Sequence, residues 1–157
     1  FSAFENKNYL VLHIDEKWFS DLYISSYVNI NPSCGDLIFF IDNLLKISGK
    51  DLVITTGTSS VKIVKQLIDH YNANKHVKIF DNLDFDILEY IIINCHALIT
   101  CHGAVSHIAS AKNIKLIDIL EEKNKDFYSR WTHHFRNYNY LFRKKFNLLT
   151  KEIINLL

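Results

Sequence analysis

Between Tyr9 and Ile119 short apolar runs alternate with longer stretches of helical spacing, and this alternation narrows the possible folds more than any other feature. Tyr9–Ile14 is an apolar run that ends in Asp15-Glu16-Lys17, the pattern of a buried strand feeding a loop. Residues 36–48 place apolar side chains at 37, 40, 41, 44, 45 and 47, and Gly49 follows where a helix stops. Asp51–Thr56 predicts a second strand. The hydroxyl-rich turn Gly57-Thr58-Ser59-Ser60 then caps a helix with Val61, Val64, Leu67, Ile68 and Tyr71 on one face. The unit recurs twice, as a strand at Val77–Phe80 before a helix over 84–94 and a strand at 97–100 before a helix over 105–112. Residues 115–119 supply one more strand. Strands separated by helices in this order require right-handed parallel crossovers, so the chain predicts an α/β, Rossmann-like, doubly wound parallel sheet with helices on both faces. From 121 to 147 the pattern weakens into a charged, aromatic stretch, and 148–157 resumes as a terminal helix. No repeat or Pro/Gly-rich linker divides the chain, and residues 1–157 read as a single domain.

Composition excludes several classes of partner. Lys and Arg number 18 and Asp and Glu 17, so the formal charge of +1 provides no global field for collecting phosphates, and no nucleic acid is expected as a partner. Cys34, Cys95 and Cys101 lack the paired spacing of a disulfide framework or a zinc knuckle, which points to a reduced, cytoplasmic setting. His133-His134 lacks the i, i+4 spacing that aims two imidazoles at one ion, and no metal is expected. No apolar run approaches the ~20 residues of a membrane span, and the start lacks the regions of a signal peptide. The chain begins at Phe1 and has no methionine, so it is expected to be the C-terminal part of a longer protein.

In open parallel sheets ligands bind beyond the carboxyl ends of the strands, where loops and helix N-termini converge. Three loops qualify: 15–18, 55–60 and 101–106. In the third, a strand turns through His102-Gly103 into a helix of small residues, Ala104, Ala109 and Ala111. Free N–H groups at such a helix start, with the positive end of its dipole, favour a phosphate. The plainer reading leaves Gly103 as a turn residue and His107 as a satisfied helix histidine. The turn at 55–60 is neither G-x-G-x-x-G nor a Walker loop, which disfavours dinucleotide oxidoreductases and P-loop ATPases. It is also an ordinary N-cap sequence.

The segment Thr100-Cys-His-Gly-Ala-Val-Ser-His-Ile-Ala-Ser-Ala111 resembles the C-terminal motif of the ADP-heptose:lipopolysaccharide heptosyltransferases and their GT-B relatives, Asp-Ser/Thr-Gly-x-x-His-x-Ala-x-Ala. Aligned on His107, Ala109 and Ala111, it departs at His102, Gly103 and Ala104, which fall where the family has its acidic, hydroxyl and glycine residues. Leu12-His-Ile-Asp-Glu-Lys-Trp18 is similar to the family's first strand and its Lys-x-Trp or Lys-Arg-Trp loop. The resemblance implies a GT-B half-domain that holds a nucleotide-diphosphate sugar as donor substrate, without a further cofactor. Lys17 and His102 would act on the diphosphate, with the backbone of Gly103, Ala104, Val105 and Ser106 beside it and His107 close by. Thr56, Gly57 and Thr58 would flank the nucleotide, and Glu121 would meet the ribose, although Glu121-Glu122 reads equally as a solvated surface pair. The implied activity is a metal-independent glycosyltransferase with its general base, and its glycan or lipid-linked acceptor, on the missing domain. A sugar-nucleotide epimerase and a non-catalytic binding domain are the alternatives. The mixture of bases and aromatics over 130–146 fits RNA stacking, an anionic membrane surface or half-buried packing, so a peripheral contact at the inner face of a membrane stays open.

Overall fold

The computed structural model describes residues 8–19, 22–58 and 62–157. Phe1, and Ser59, Ser60 and Val61 of the second turn and helix, lie outside the described residues. Six strands, β1 (Tyr9–Ile14), β2 (Asp51–Thr56), β3 (Val77–Phe80), β4 (Ala97–Cys101), β5 (Lys115–Leu120) and β6 (Tyr138–Phe142), form one sheet in the order β3-β2-β1-β4-β5-β6. Every neighbouring pair is parallel. The intervening helices are α1 (Cys34–Ser48), α2 (Lys62–Tyr71), α3 (Phe85–Ile93), α4 (Ala104–Ala111) and α5 (Lys125–Thr132), and α6 (Phe146–Asn155) closes the chain. This is the Rossmann-like doubly wound sheet, with its strand order reversing between β1 and β4.

Side chains alternate across the sheet, as a strand's period of two demands. Leu10, Leu12 and Ile14 of β1 join Leu37, Phe40 and Leu44 of α1 and Phe146, Leu149 and Ile153 of α6 in one core layer. Tyr9 and Val11 point the other way, into Leu88, Ile91 and Ile92 of α3 and Val105 and Ala109 of α4. All six residues of β1 are buried, which is why this central strand reads as an apolar run broken only by His13.

The stretch 121–147 is more regular than its sequence pattern, since it contains α5 and the edge strand β6. Tyr138–Phe142 pairs on one side only and stays partly exposed along its length, so selection for a continuous apolar run is absent there. Helix α1 starts at Cys34, ahead of the expected 36, because Ser33 caps it: the Ser33 side chain accepts from Asp36 N, and the Asp36 carboxylate accepts from Ser33 N. The last helix begins at Phe146 rather than 148, and α3 and α4 differ from expectation by a residue at each end.

Candidate functional site

A cleft of about 270 Å³ opens at the carboxyl edge of the sheet, at the reversal between β1 and β4. Its floor comes from the end of β1 and the 3-10 turn Glu16–Trp18: His13, Asp15 and Lys17. One wall is the Thr56-Gly57-Thr58 turn after β2, and another is Ala104 and Val105 at the start of α4. Leu83, Phe85 and Leu88, from the loop before α3 and its first turns, make an apolar side. The first and second turns touch closely. A Cβ at Gly57 would stand 3.2 Å from Asp15 Cβ, so only glycine lets the β2 turn approach the floor this nearly without a shift.

Electrostatics on the floor are tightly paired. Asp15 is buried, caps the 3-10 turn by accepting from Lys17 N at 3.1 Å, and bonds the Lys17 ammonium. His13 Nε2 lies 3.6 Å from the same carboxylate, and its Nδ1 is hydrogen-bonded to Thr55 Oγ1 at 2.9 Å. Burial pushes the Asp15 carboxyl up, but the His13 hydrogen bond and the Lys17 charge outweigh it, and the net shift is downward. Burial likewise lowers the Lys17 ammonium, and its carboxylate partner more than reverses that, so Lys17 stays charged at neutral pH. The Lys17 ammonium reaches the start of α4, where a Cβ at Gly103 would lie 3.2 Å from Nζ.

Helix α4 has eight residues, and its first N–H groups have no intrahelical acceptor by their position. Gly103 N donates to Ser106 Oγ at 3.3 Å and Ser106 N to Gly103 O at 3.0 Å. The next two residues of this first turn, Ala104 and Val105, line the cleft. Gly103 is extended, with φ −178°, a conformation open to any residue.

The structure thus gathers Lys17, Thr56, Gly57, Thr58, Ala104 and Val105 around one cleft, with Gly103 at its border. It turns the other expected site residues elsewhere. Ser106 is buried and its hydroxyl donates to Asp118 Oδ1 at 2.8 Å. His102 Nδ1 donates to Asp118 Oδ2 at 2.6 Å, and its ring packs edge-on to Tyr128 and His107. His107 lies on the exposed side of α4 against Phe135, and burial, then the His102 charge, lowers its pKa. Glu121 is buried away from the cleft, accepting from Val28 N at 2.8 Å and lying 4.0 Å from Arg143 Nε. Arg143 in turn donates to Lys17 O at 2.6 Å and Val28 O at 3.0 Å, which fixes the loop after β1.

Sequence reasoning passed over His13, Asp15 and Asp118 as site residues. The signal was present: a histidine inside Tyr9–Ile14 and an acid inside Lys115–Leu120 interrupt otherwise apolar strands, and a buried polar group implies a built partner. Among the described residues no group of three or more His, Cys, Asp or Glu side chains is arranged to hold a metal ion. No helix among them is long and apolar enough to cross a membrane.

No protein-family model matches this chain, and no curated protein matches it in sequence. Two solved structures are similar in fold. The UDP-GlcNAc 2-epimerase of Methanocaldococcus jannaschii, in complex with UDP-GlcNAc and UDP, superposes with a TM-score of 0.64 at 15% identity, covering 99% of this chain and 40% of that one. The E. coli heptosyltransferase WaaC with ADP gives a TM-score of 0.57 at 10% identity, covering 98% of this chain and 45% of that one. The chain therefore spans less than half the length of either. The likeness establishes one half of a GT-B-like fold and does not single out the heptosyltransferases.

Proposed function

We propose that this domain binds the diphosphate of a nucleotide sugar in the β1/β4 cleft, as the donor-binding half of a glycosyltransferase. The observation that carries the reading is the convergence of the Lys17 ammonium and the first turn of α4, at Ala104 and Val105, on one side of a cleft whose other side is apolar. A diphosphate is matched by the first set and a nucleobase by Leu83, Phe85 and Leu88. In transfer, negative charge develops on the departing diphosphate. Fixed N–H dipoles and an ammonium already aimed there stabilise that charge without reorganisation. His102, held by Asp118 outside the cleft, would add a further donor to the leaving group only by turning away from that carboxylate. The acceptor, its general base and the sugar's identity belong to the remainder of a two-domain enzyme.

Epimerisation of a nucleotide sugar is the second reading, favoured by the likeness to the M. jannaschii epimerase. Both readings require the same diphosphate site. Calorimetric titration with UDP and ADP tests it, with Ala104→Pro as the decisive variant. Proline fits the first position of a helix and follows the extended Gly103 without clash, so the fold is kept while one N–H is deleted. Affinity should fall by about 1.5–3 kcal/mol, the value of one hydrogen bond to a charged group, with unchanged thermal stability. Equal affinity in Ala104→Pro, or no binding at millimolar nucleotide, would remove the proposal. Product analysis on the two-domain protein then separates transfer from epimerisation.

A further inference from the structure

The charges of this nearly neutral chain are segregated. Residues 123–145 carry seven Lys and Arg against the single acid Asp126, while the rest of the chain has eleven bases and sixteen acids. Part of this basic segment is structural: Arg143 is buried, Lys123 Nζ donates to Ser26 O, and Lys144 pairs with Glu152. Phe135 and Tyr138 pack against the α3/α4 core layer. What remains is the outer side of α5. Thr132 is buried and Tyr128 half-buried, with its hydroxyl 3.4 Å from that of Tyr27, so this pair anchors the helix. Phe127 and Trp131, one turn apart on the flank beside that pair, are 58% and 57% exposed. Lys125, over the Phe142 ring, and Arg130, His133, His134 and Arg136 are exposed on and just after this helix, together with the acids Glu122 and Asp126.

We infer that this face of α5 docks the protein on an anionic membrane surface, with Phe127 and Trp131 entering the headgroup layer and the neighbouring bases holding anionic headgroups. Two large rings exposed to water carry a standing hydrophobic penalty that interfacial insertion relieves, and Trp is the side chain best suited to that depth. The surrounding positive charge supplies attraction to acidic lipid, and neither ring set nor bases alone gives stable binding. A nucleic-acid strand is a poorer occupant. Stacked bases want a flat aromatic shelf along a groove, whereas these rings stand on a convex helix, tilted 58° to each other, and neither lines the cleft. The inference goes beyond the nucleotide site and does not depend on it.

The chain contains its own probe. Of its two tryptophans Trp18 is fully buried, so any change of emission on adding vesicles reports Trp131. Vesicles of phosphatidylglycerol mixed with phosphatidylcholine should pellet the protein, shift its emission to the blue, and quench it when the acyl chains are brominated. Phosphatidylcholine alone should do none of these, and added salt should weaken them. Arg130→Glu with Arg136→Glu should lower the partition coefficient roughly tenfold or more, and Phe127→Ser should reduce it with an unchanged urea midpoint read from Trp18. Absence of pelleting on the anionic vesicles at low salt overturns the inference. So does pelleting without a Trp131 shift, or saturable binding to single-stranded RNA or an acidic peptide in place of vesicles.

Discussion

Replacing Lys17 with alanine should do more damage to nucleotide binding than the loss of one ammonium accounts for. Lys17 is 19% exposed and its partner Asp15 3%, so the variant leaves a carboxylate on the cleft floor with only Lys17 N and the more distant His13 to balance it. The lost charge-assisted hydrogen bond contributes about 1.5–3 kcal/mol. A phosphate against the start of α4 would lie about 6 Å from the Asp15 carboxylate, and at an effective dielectric near 20 the bare repulsion is roughly 3 kcal/mol, reduced further by salt. Together the losses reach about 3–5 kcal/mol, or a hundredfold to several thousandfold in Kd. The double variant Asp15→Asn, Lys17→Ala should recover at least about tenfold of that, and Asp15→Asn alone should bind UDP more tightly than the wild type. Calorimetric titration of the four proteins at two ionic strengths gives the cycle. A double variant that binds no better than Lys17→Ala would show that no bound anion feels Asp15, and the diphosphate would have to be placed elsewhere.

Asp118→Asn should cost about 2–4 kcal/mol of stability in urea denaturation, because the buried carboxylate accepts from Ser106, His102 and Tyr138 and an amide would face one of these donors with another. Gly103→Ala should leave the urea midpoint nearly unchanged, since the backbone there is extended, yet weaken nucleotide binding by displacing the Lys17 ammonium, both readable on one purified variant. The downward shift of Asp15 sets a pH dependence. Its pairing stabilises the fold above the ordinary carboxylate pKa near 4 and is lost as pH falls below it, so the Tm gap between wild type and Asp15→Asn should close in that acid range. In the native protein a thiol reagent should modify Cys34 alone, since Cys95 and Cys101 are buried and burial pushes the Cys101 thiol up; labelling of all three should appear only in denaturant.

The interior of the sheet was legible because β1, β2 and β4 are buried on both faces and their sequences show it directly. The edge strand β6 and the short α5 were not, since each buries only part of its surface and neither needs a sustained apolar pattern. The cleft itself was half legible. Strand ends and a glycine turn located Lys17, Thr56–Thr58 and the start of α4, because position along a parallel sheet fixes which loops meet. Side-chain direction was not legible. Ser106 and His102 sit in the expected loop but turn to Asp118, a partner twelve to sixteen residues away whose pairing depends on the β4/β5 register.

Arg143 gives this domain a particular order of assembly. It directly follows the last strand of the sheet, yet it grips the carbonyl of Lys17, 126 residues earlier in the chain, and stacks on Tyr27. The backbone that presents Lys17 to the cleft is therefore locked only after the strand order has been completed at its far edge. A nascent chain emerging from the ribosome would have β1, β2 and β4 paired while the loop after β1 still lacked its clamp. Ligand competence would come last, as a report that the whole sheet has closed. Arg143→Ala, which leaves α6 and its core contacts in place, would keep the sheet and lose that report, so nucleotide affinity would be a stricter gauge of complete folding than helical content.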